Sequence, residues 1–294
     1  MYRSKRLRAA CVILLLACGL LTACGTPVAG GASQATTSGA GGLTVFAASS
    51  LQEAMTALGT DWRAAHPGAA AAQYNFGGSQ ALLAQLRQGA PADLFATADK
   101  LTMDGAVAAG LVESPYPLAR NSLVVVLPHD NPGHITALAD LARPGLKIVL
   151  ADKTVPVGNY TLQALDNLAA DPAYGADFKR SVLANVISQE NNVRQVLAKV
   201  QLGEADAGVV YGTDAQAANN AAGGSAQPVA TVPIPDTANV IAVYYVAVVK
   251  GGARVDAART FLAYATGDGG QAVLGQFGFL PAGATAAAPA GSRP

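Results

Sequence analysis

The chain predicts an α/β protein of two lobes, and three patterns carry that expectation. Short β-rich runs alternate with helix-spaced apolar positions, an order that builds mostly parallel sheets flanked by helices. Two longer β-rich runs, Leu123-Val124-Val125-Val126-Leu127 and residues 240–249, enclose a middle block, as two crossover strands around a cleft would. Two strand-to-helix junctions also carry small residues and a serine: Leu43-Thr44-Val45-Phe46-Ala47-Ala48-Ser49-Ser50-Leu51 and Tyr74-Asn75-Phe76-Gly77-Gly78-Ser79-Gln80-Ala81-Leu82. Such a junction leaves the first N–H groups of the helix unpaired and adds a hydroxyl donor, so two of them brought together can hold an anion. Open α/β sheets bind ligands at the carboxyl ends of their strands, where both junctions lie.

The N-terminus reads as an export signal over residues 1–23. Arg3, Lys5, Arg6 and Arg8 precede the apolar stretch 9–20, which is short for a membrane span, and Leu21-Thr22-Ala23-Cys24 follows. Those four residues resemble the bacterial lipobox, which implies cleavage before Cys24 and lipidation on it; more than one acyl chain there gives stable membrane anchoring. Cys11 and Cys18 fall in the removed segment, so no internal disulfide is expected. Residues 24–41, beginning with the lipidated cysteine, read as a flexible linker and 282–294 as a disordered tail, both rich in small residues. The remaining stretch of about 240 residues suits two small domains or one large doubly wound one; the two-lobe reading takes 42–122 as the first part of lobe I, 123–238 as lobe II, and 239–281 as the second part of lobe I.

Along that body, strand 43–47 leads to helix 51–65, with Leu51, Met55, Leu58 and Trp62 at helical spacing. Strand 71–76 precedes helix 80–88, which Gly89 and Pro91 stop; strand 92–97 follows, and Asp99 caps a helix ending at Gly110. The second block predicts strand 147–150, helices 160–170, 174–183 and 192–202, strand 207–211 and a loop over 219–224. The run 240–249 is too long for one ordinary strand and is read as a crossover between lobes; helices 253–264 and 269–277 close the fold.

Charge excludes some functions. Nineteen basic and nineteen acidic residues without a run of either sign give no nucleic-acid stripe, and no second long apolar segment follows the first, so the body is expected to be soluble. Gly77-Gly78-Ser79-Gln80-Ala81 loosely matches the elbow that exposes a nucleophilic serine, which makes a serine hydrolase using Ser79 the alternative of another class. The histidines speak against it: His66, His129 and His134 all precede the region where that elbow's triad order puts the base. No metal-ligand spacing and no phosphate loop with Lys-Ser or Lys-Thr occurs, so neither cofactor nor metal-cation site is expected.

What remains is a set of hydrogen-bond donors. Val155-Pro156-Val157-Gly158-Asn159-Tyr160 enters a helix, Asn191-Asn192-Val193-Arg194 opens another with asparagine at the cap, and Val209-Val210-Tyr211-Gly212-Thr213-Asp214 ends a strand with a phenol. Arg194 is read as a solvated helix residue.

Together with Thr44 to Leu51, Asn75 to Ser79, Gly89-Ala90-Pro91-Ala92-Asp93-Leu94-Phe95, Asn121-Ser122-Leu123-Val124-Val125-Val126 and Val210 to Ala215, these motifs resemble, in their order, the periplasmic molybdate-binding proteins of bacterial ABC transporters over residues 42–280. The resemblance implies the type II periplasmic-binding-protein fold. It also implies a ligand shell of Ser50 and Ser79 through hydroxyl and N–H, Val157 and Val193 through N–H, and Tyr211 through its phenol, with Ser49 as an additional donor. Alanine often stands in the family where this chain has Val157, a difference of little weight for a backbone donor. A monomeric, non-enzymatic, extracytoplasmic carrier is implied, held to the cell membrane through Cys24, capturing molybdate and tungstate for an ABC permease and its ATPase.

Neutral donors suffice for such a ligand, because helix N-termini carry partial positive charge and their N–H groups are fixed before the anion arrives. A shell of donors only disfavours protonated oxyanions, whose O–H would find no acceptor, at about 1–3 kcal/mol. Sulfate, molybdate and tungstate all pass that test. A carrier for sulfate or another tetrahedral oxyanion is therefore the alternative within the class, and the choice of molybdate rests on the resemblance.

Overall fold

In strand β1 (Leu43–Ala48), successive side chains serve two cores. Leu43, Val45 and Ala47 join Leu51, Met55, Leu58 and Trp62 on one face, while Phe46 joins Leu82, Leu83 and Leu86 on the other. A strand covered on both faces takes apolar residues on both, which is why this run reads as nearly continuous, broken only by the half-buried Thr44. The computed structural model describes residues 42–69, 71–221 and 227–283; the predicted signal peptide, Cys24, the linker to residue 41 and the tail from 284 lie outside the described residues.

From β1 the chain turns through Ser49–Leu51 into α1 (Gln52–Ala65). β2 (Ala72–Gly77) then feeds α2 (Ser79–Arg87), and β3 (Leu94–Thr97) feeds α3 (Lys100–Ala108), capped by Asp99, whose side chain accepts the Thr102 N–H at 3.0 Å. β4 (Tyr116–Asn121) and β5 (Leu123–Pro128) follow, then β6 (Ile148–Ala151), α4 (Pro156–Ala170), α5 (Phe178–Ala184), β7 (Val186–Glu190), α6 (Val193–Gln201), β8 (Ala207–Tyr211), α7 (Gly212–Asn220) and β9 (Val229–Pro233). β10 (Ala242–Val248), α8 (Val255–Thr266) and α9 (Asp268–Gln276) complete the body.

The strands form two five-stranded sheets, ordered β2-β1-β3-β10-β4 and β7-β6-β8-β5-β9. Both follow one plan: three neighbouring parallel strands, then one reversed strand in fourth place, then an edge strand antiparallel to it. Four of the five strands in each sheet therefore point the same way, although the reversed fourth strand makes half of the pairings antiparallel and both sheets mixed rather than mostly parallel; the carboxyl ends of the four define one rim per sheet. In the first sheet α1, α8 and α9 cover one face and α2 and α3 the other.

The crossovers lie beside the long β runs, not in them. β5 belongs wholly to the second sheet and β10 wholly to the first, so the run 240–249 is not itself the crossing segment that its length suggested. In-sheet partners satisfy the backbone of both runs, whereas the chain changes sheet at Ser122 and again over residues 234–241. The two crossings are tied together: the Asn239 side chain accepts the Leu123 N–H at 3.0 Å and donates to the Leu123 carbonyl at 2.9 Å.

Candidate functional site

Five helix entrances meet where the rims of the two sheets face each other, around a small cavity. The first sheet contributes Ser49 and Ser50 from the turn after β1, Ser79 at the start of α2, and the backbone of Gly77, Gly78 and Ala98. The second contributes Pro156 and Val157 from the first turn of α4, Val193 at the first position of α6, and Tyr211 at the end of β8. All six residues singled out in the sequence, Ser49, Ser50, Ser79, Val157, Val193 and Tyr211, are buried at this one place. Cys24 lies outside the described residues.

Local sequence fixes each entrance. Asn192 caps α6 by accepting the Gln195 N–H at 3.1 Å, which leaves the Val193 N–H at a position with no partner within the helix. Pro156 opens α4, where its missing N–H and fixed φ suit the first helical position. Gly158 is required in the same turn, because a Cβ there would sit 2.1 Å from the Asp152 carbonyl oxygen.

The side-chain hydroxyls are arranged as donors toward the cavity. Ser79 Oγ accepts the Ala98 N–H at 3.0 Å, so its own hydrogen is available elsewhere. Ser50 Oγ lies 2.8 Å from Tyr244 Oη. Tyr211 Oη is buried with no hydrogen-bond partner in the protein, although burial of a hydroxyl without one costs about 1–3 kcal/mol. Burial also pushes the Tyr211 phenol well above its usual range, so it holds its proton and can donate.

No charged residue lines the cavity. The nearest ion pair in sequence is next to it: Arg194 places its two terminal nitrogens on the carboxylate of Glu53 in α1, Nη1 to Oε1 at 3.0 Å, and its Nε 2.9 Å from Asp214 Oδ1, off the line of an aligned hydrogen bond. The expectation of a solvated Arg194 is thus corrected, since its side chain is 23% exposed and joins the two lobes. Burial pulls the guanidinium down, but Asp214 and Glu53 outweigh it and hold Arg194 above its ordinary value. Sequence reading also missed Tyr244, which lay inside a run taken as crossover, and gave Asn121 no role although its motif was noted.

None of the three histidines lines the cavity with Ser79. Among the described residues, no group of three or more His, Cys, Asp or Glu side chains could hold a metal ion, and no helix is long and apolar enough to cross a membrane.

Two α/β lobes around a small cleft of neutral donors make up the type II periplasmic-binding-protein fold. The chain belongs to the bacterial extracellular solute-binding protein family, whose pattern matches residues 43–280. It is 38% identical over 269 residues to the molybdate-binding protein ModA of Mycobacterium tuberculosis, a match covering 91% of this chain and 95% of that one. In structure it is similar to the periplasmic molybdate-binding protein of Azotobacter vinelandii, with TM-score 0.68 and 22% identity over 81% of this chain and 98% of that one. The sulfate-binding protein SubI of Mycobacterium tuberculosis gives TM-score 0.72 at 21% identity over 82% and 87%; at such identities the likeness is one of fold.

Proposed function

We propose that this protein captures molybdate, and tungstate by the same chemistry, between its lobes 42–122 with 239–281 and 123–238, and delivers it to an ABC permease driven by its ATPase. The observation that carries the reading is the buried Tyr211 hydroxyl, without a protein partner, at a cavity rimmed by helix entrances and free of charged side chains. An anion there receives hydroxyl hydrogens from Ser50, Ser79 and Tyr211 and N–H groups from Val157 and Val193, with Ser49 beside them. Each hydrogen bond to a charged acceptor is stronger than a neutral one, and the donors are already fixed, so little reorganisation opposes binding. Resemblance to ModA along nearly the whole chain supports molybdate as the solute.

The N-terminal Leu21-Thr22-Ala23-Cys24 supports anchoring of the monomer to the outer face of the cell membrane through a lipid on Cys24. Isothermal titration of the body with sodium molybdate, tungstate and sulfate tests the assignment. Tight molybdate and tungstate binding with weak sulfate is expected; sulfate heat without molybdate heat would overturn it.

A further inference from the structure

We infer that Tyr244, which does not line the cavity, is a positioning residue that makes Ser50 an obligatory donor and thereby sets the site's preference for unprotonated anions. The inference rests on the oxyanion reading of the cavity. Its basis is the direction of a buried hydrogen-bond chain. Asn121, at the end of β4, accepts the Ser122 N–H on its Oδ1 at 3.0 Å, which fixes its amide nitrogen as the group facing inward. That nitrogen donates to Thr213 Oγ1 at 2.8 Å and points at Tyr244 Oη at 3.5 Å.

An amide nitrogen has no lone pair to offer, so Tyr244 cannot give its hydrogen to Asn121. The remaining partner of the phenol is Ser50 Oγ at 2.8 Å, and both groups are buried. Tyr244 therefore donates to Ser50, and the Ser50 hydrogen is turned away from Tyr244 toward the cavity. The ring is held for this task edge-on against Tyr211 and Phe279, at 5.7 and 5.4 Å between centroids. Burial raises the Tyr244 phenol beyond its usual range, so the proton stays on the ring oxygen at all working pH. Ser79 is treated alike by the Ala98 N–H. With one lone pair of each serine taken from behind and its hydrogen turned to the cavity, both serines present a donor first, and a protonated oxyanion such as hydrogen phosphate must compete for the single lone pair each has left.

A double-mutant cycle tests this, using titration calorimetry with sodium molybdate and sodium phosphate. Tyr244→Phe is expected to weaken molybdate about tenfold, the loss of one oriented bond to a charged group, and to narrow the gap between molybdate and phosphate. In the Ser50→Ala background the same change should cost less than about twofold, because Tyr244 acts through Ser50. An equal cost in both backgrounds, or an unchanged molybdate-to-phosphate ratio, would overturn the inference, since a packing role is indifferent to Ser50. Where Tyr244→Phe does not fold, 3-fluorotyrosine placed at position 244 alone keeps the ring and strengthens the donor. Binding about twofold tighter, dependent on Ser50, supports the inference, and unchanged affinity overturns it. Wild-type protein that gives no molybdate heat overturns the oxyanion reading itself, a result distinct from an additive cycle.

Discussion

Tyr211 lies at the end of a buried strand with a hydroxyl that nothing in the protein satisfies, a cost tolerated where a ligand supplies the acceptor. Tyr211→Phe should therefore move affinity and stability in opposite directions. Molybdate binding should weaken about tenfold or more, while the unliganded protein melts at the same or a higher temperature, because the hydroxyl it loses was unpaired. Loss of stability with unchanged affinity, read by calorimetry and thermal melts, would sink the role assigned to the phenol. Val193 permits a cleaner deletion. It occupies the first helical position, where proline is favoured, and Asn192 before it is already extended at φ −161° and ψ 166°, as a residue preceding proline must be. Val193→Pro thus removes one N–H while exchanging one buried three-carbon side chain for another, and should cut molybdate affinity at least tenfold with only a modest fall in melting temperature; equal affinity would exclude that N–H from the shell. Serines and a strand-end tyrosine were visible in the sequence because each sits at a junction with a strong local signature. Arg194 was misjudged for the opposite reason: Glu53 and Asp214, which hold it, are 141 and 20 residues away in the chain, and no local pattern announces them.

At the scale of elements, β1 to α3 were legible nearly residue by residue, since alternating strand and helix periods leave clear punctuation there. β4, β7 and β9 were not. All three are edge strands, half exposed or interrupted by Pro117 and Pro233, and an edge strand lacks the continuous apolar run that marks a central one. α7 escaped notice as well, because Gly212-Thr213-Asp214-Ala215-Gln216-Ala217-Ala218 has no large apolar side chain; its inward face is Thr213, Asp214, Ala215 and Ala218. Asp214 is fully buried in that first turn, accepting the Tyr211 N–H at 3.3 Å. Burial pushes its carboxyl up from 3.8 to about 6, outweighing the neighbouring Arg194. Between about pH 4 and pH 6 the native state holds a proton that the unfolded chain has released, so this group's contribution to stability falls as pH rises through that window and is level above it. Urea unfolding should show wild type losing roughly 2–3 kcal/mol relative to Asp214→Asn between about pH 4 and pH 7. Parallel pH profiles for the two proteins would mean that Asp214 is ionised throughout.

For the whole molecule, polar contacts join the lobes beside the buried Tyr211–Tyr244 packing, and polar contacts of this kind are the ones a domain interface can make and break. Gln80 Nε2 in α2 donates to the Asn191 carbonyl at 3.0 Å, and a Cβ on Gly78 would stand 2.4 Å from that same oxygen, so only glycine lets the lobes approach here. The Glu53–Arg194 pair spans the same gap. It joins α1, whose entrance carries Ser50, to the helix whose first N–H belongs to Val193, so the pair bridges the two elements that would close on the proposed anion. A contact formed only in the closed state adds its energy to ligand retention, not to encounter. Glu53→Gln keeps the shape, removes the charge, and leaves Arg194 beside Asp214. Molybdate should then bind about three- to tenfold more weakly, through faster dissociation at an unchanged association rate, with the difference between variant and wild type shrinking at high salt. Small-angle scattering should find the unliganded variant more open than wild type and the molybdate-bound forms alike. Equal dissociation rates and equal unliganded dimensions would show that the pair follows closure without favouring it, leaving the anion's own hydrogen bonds as the force that holds the lobes together.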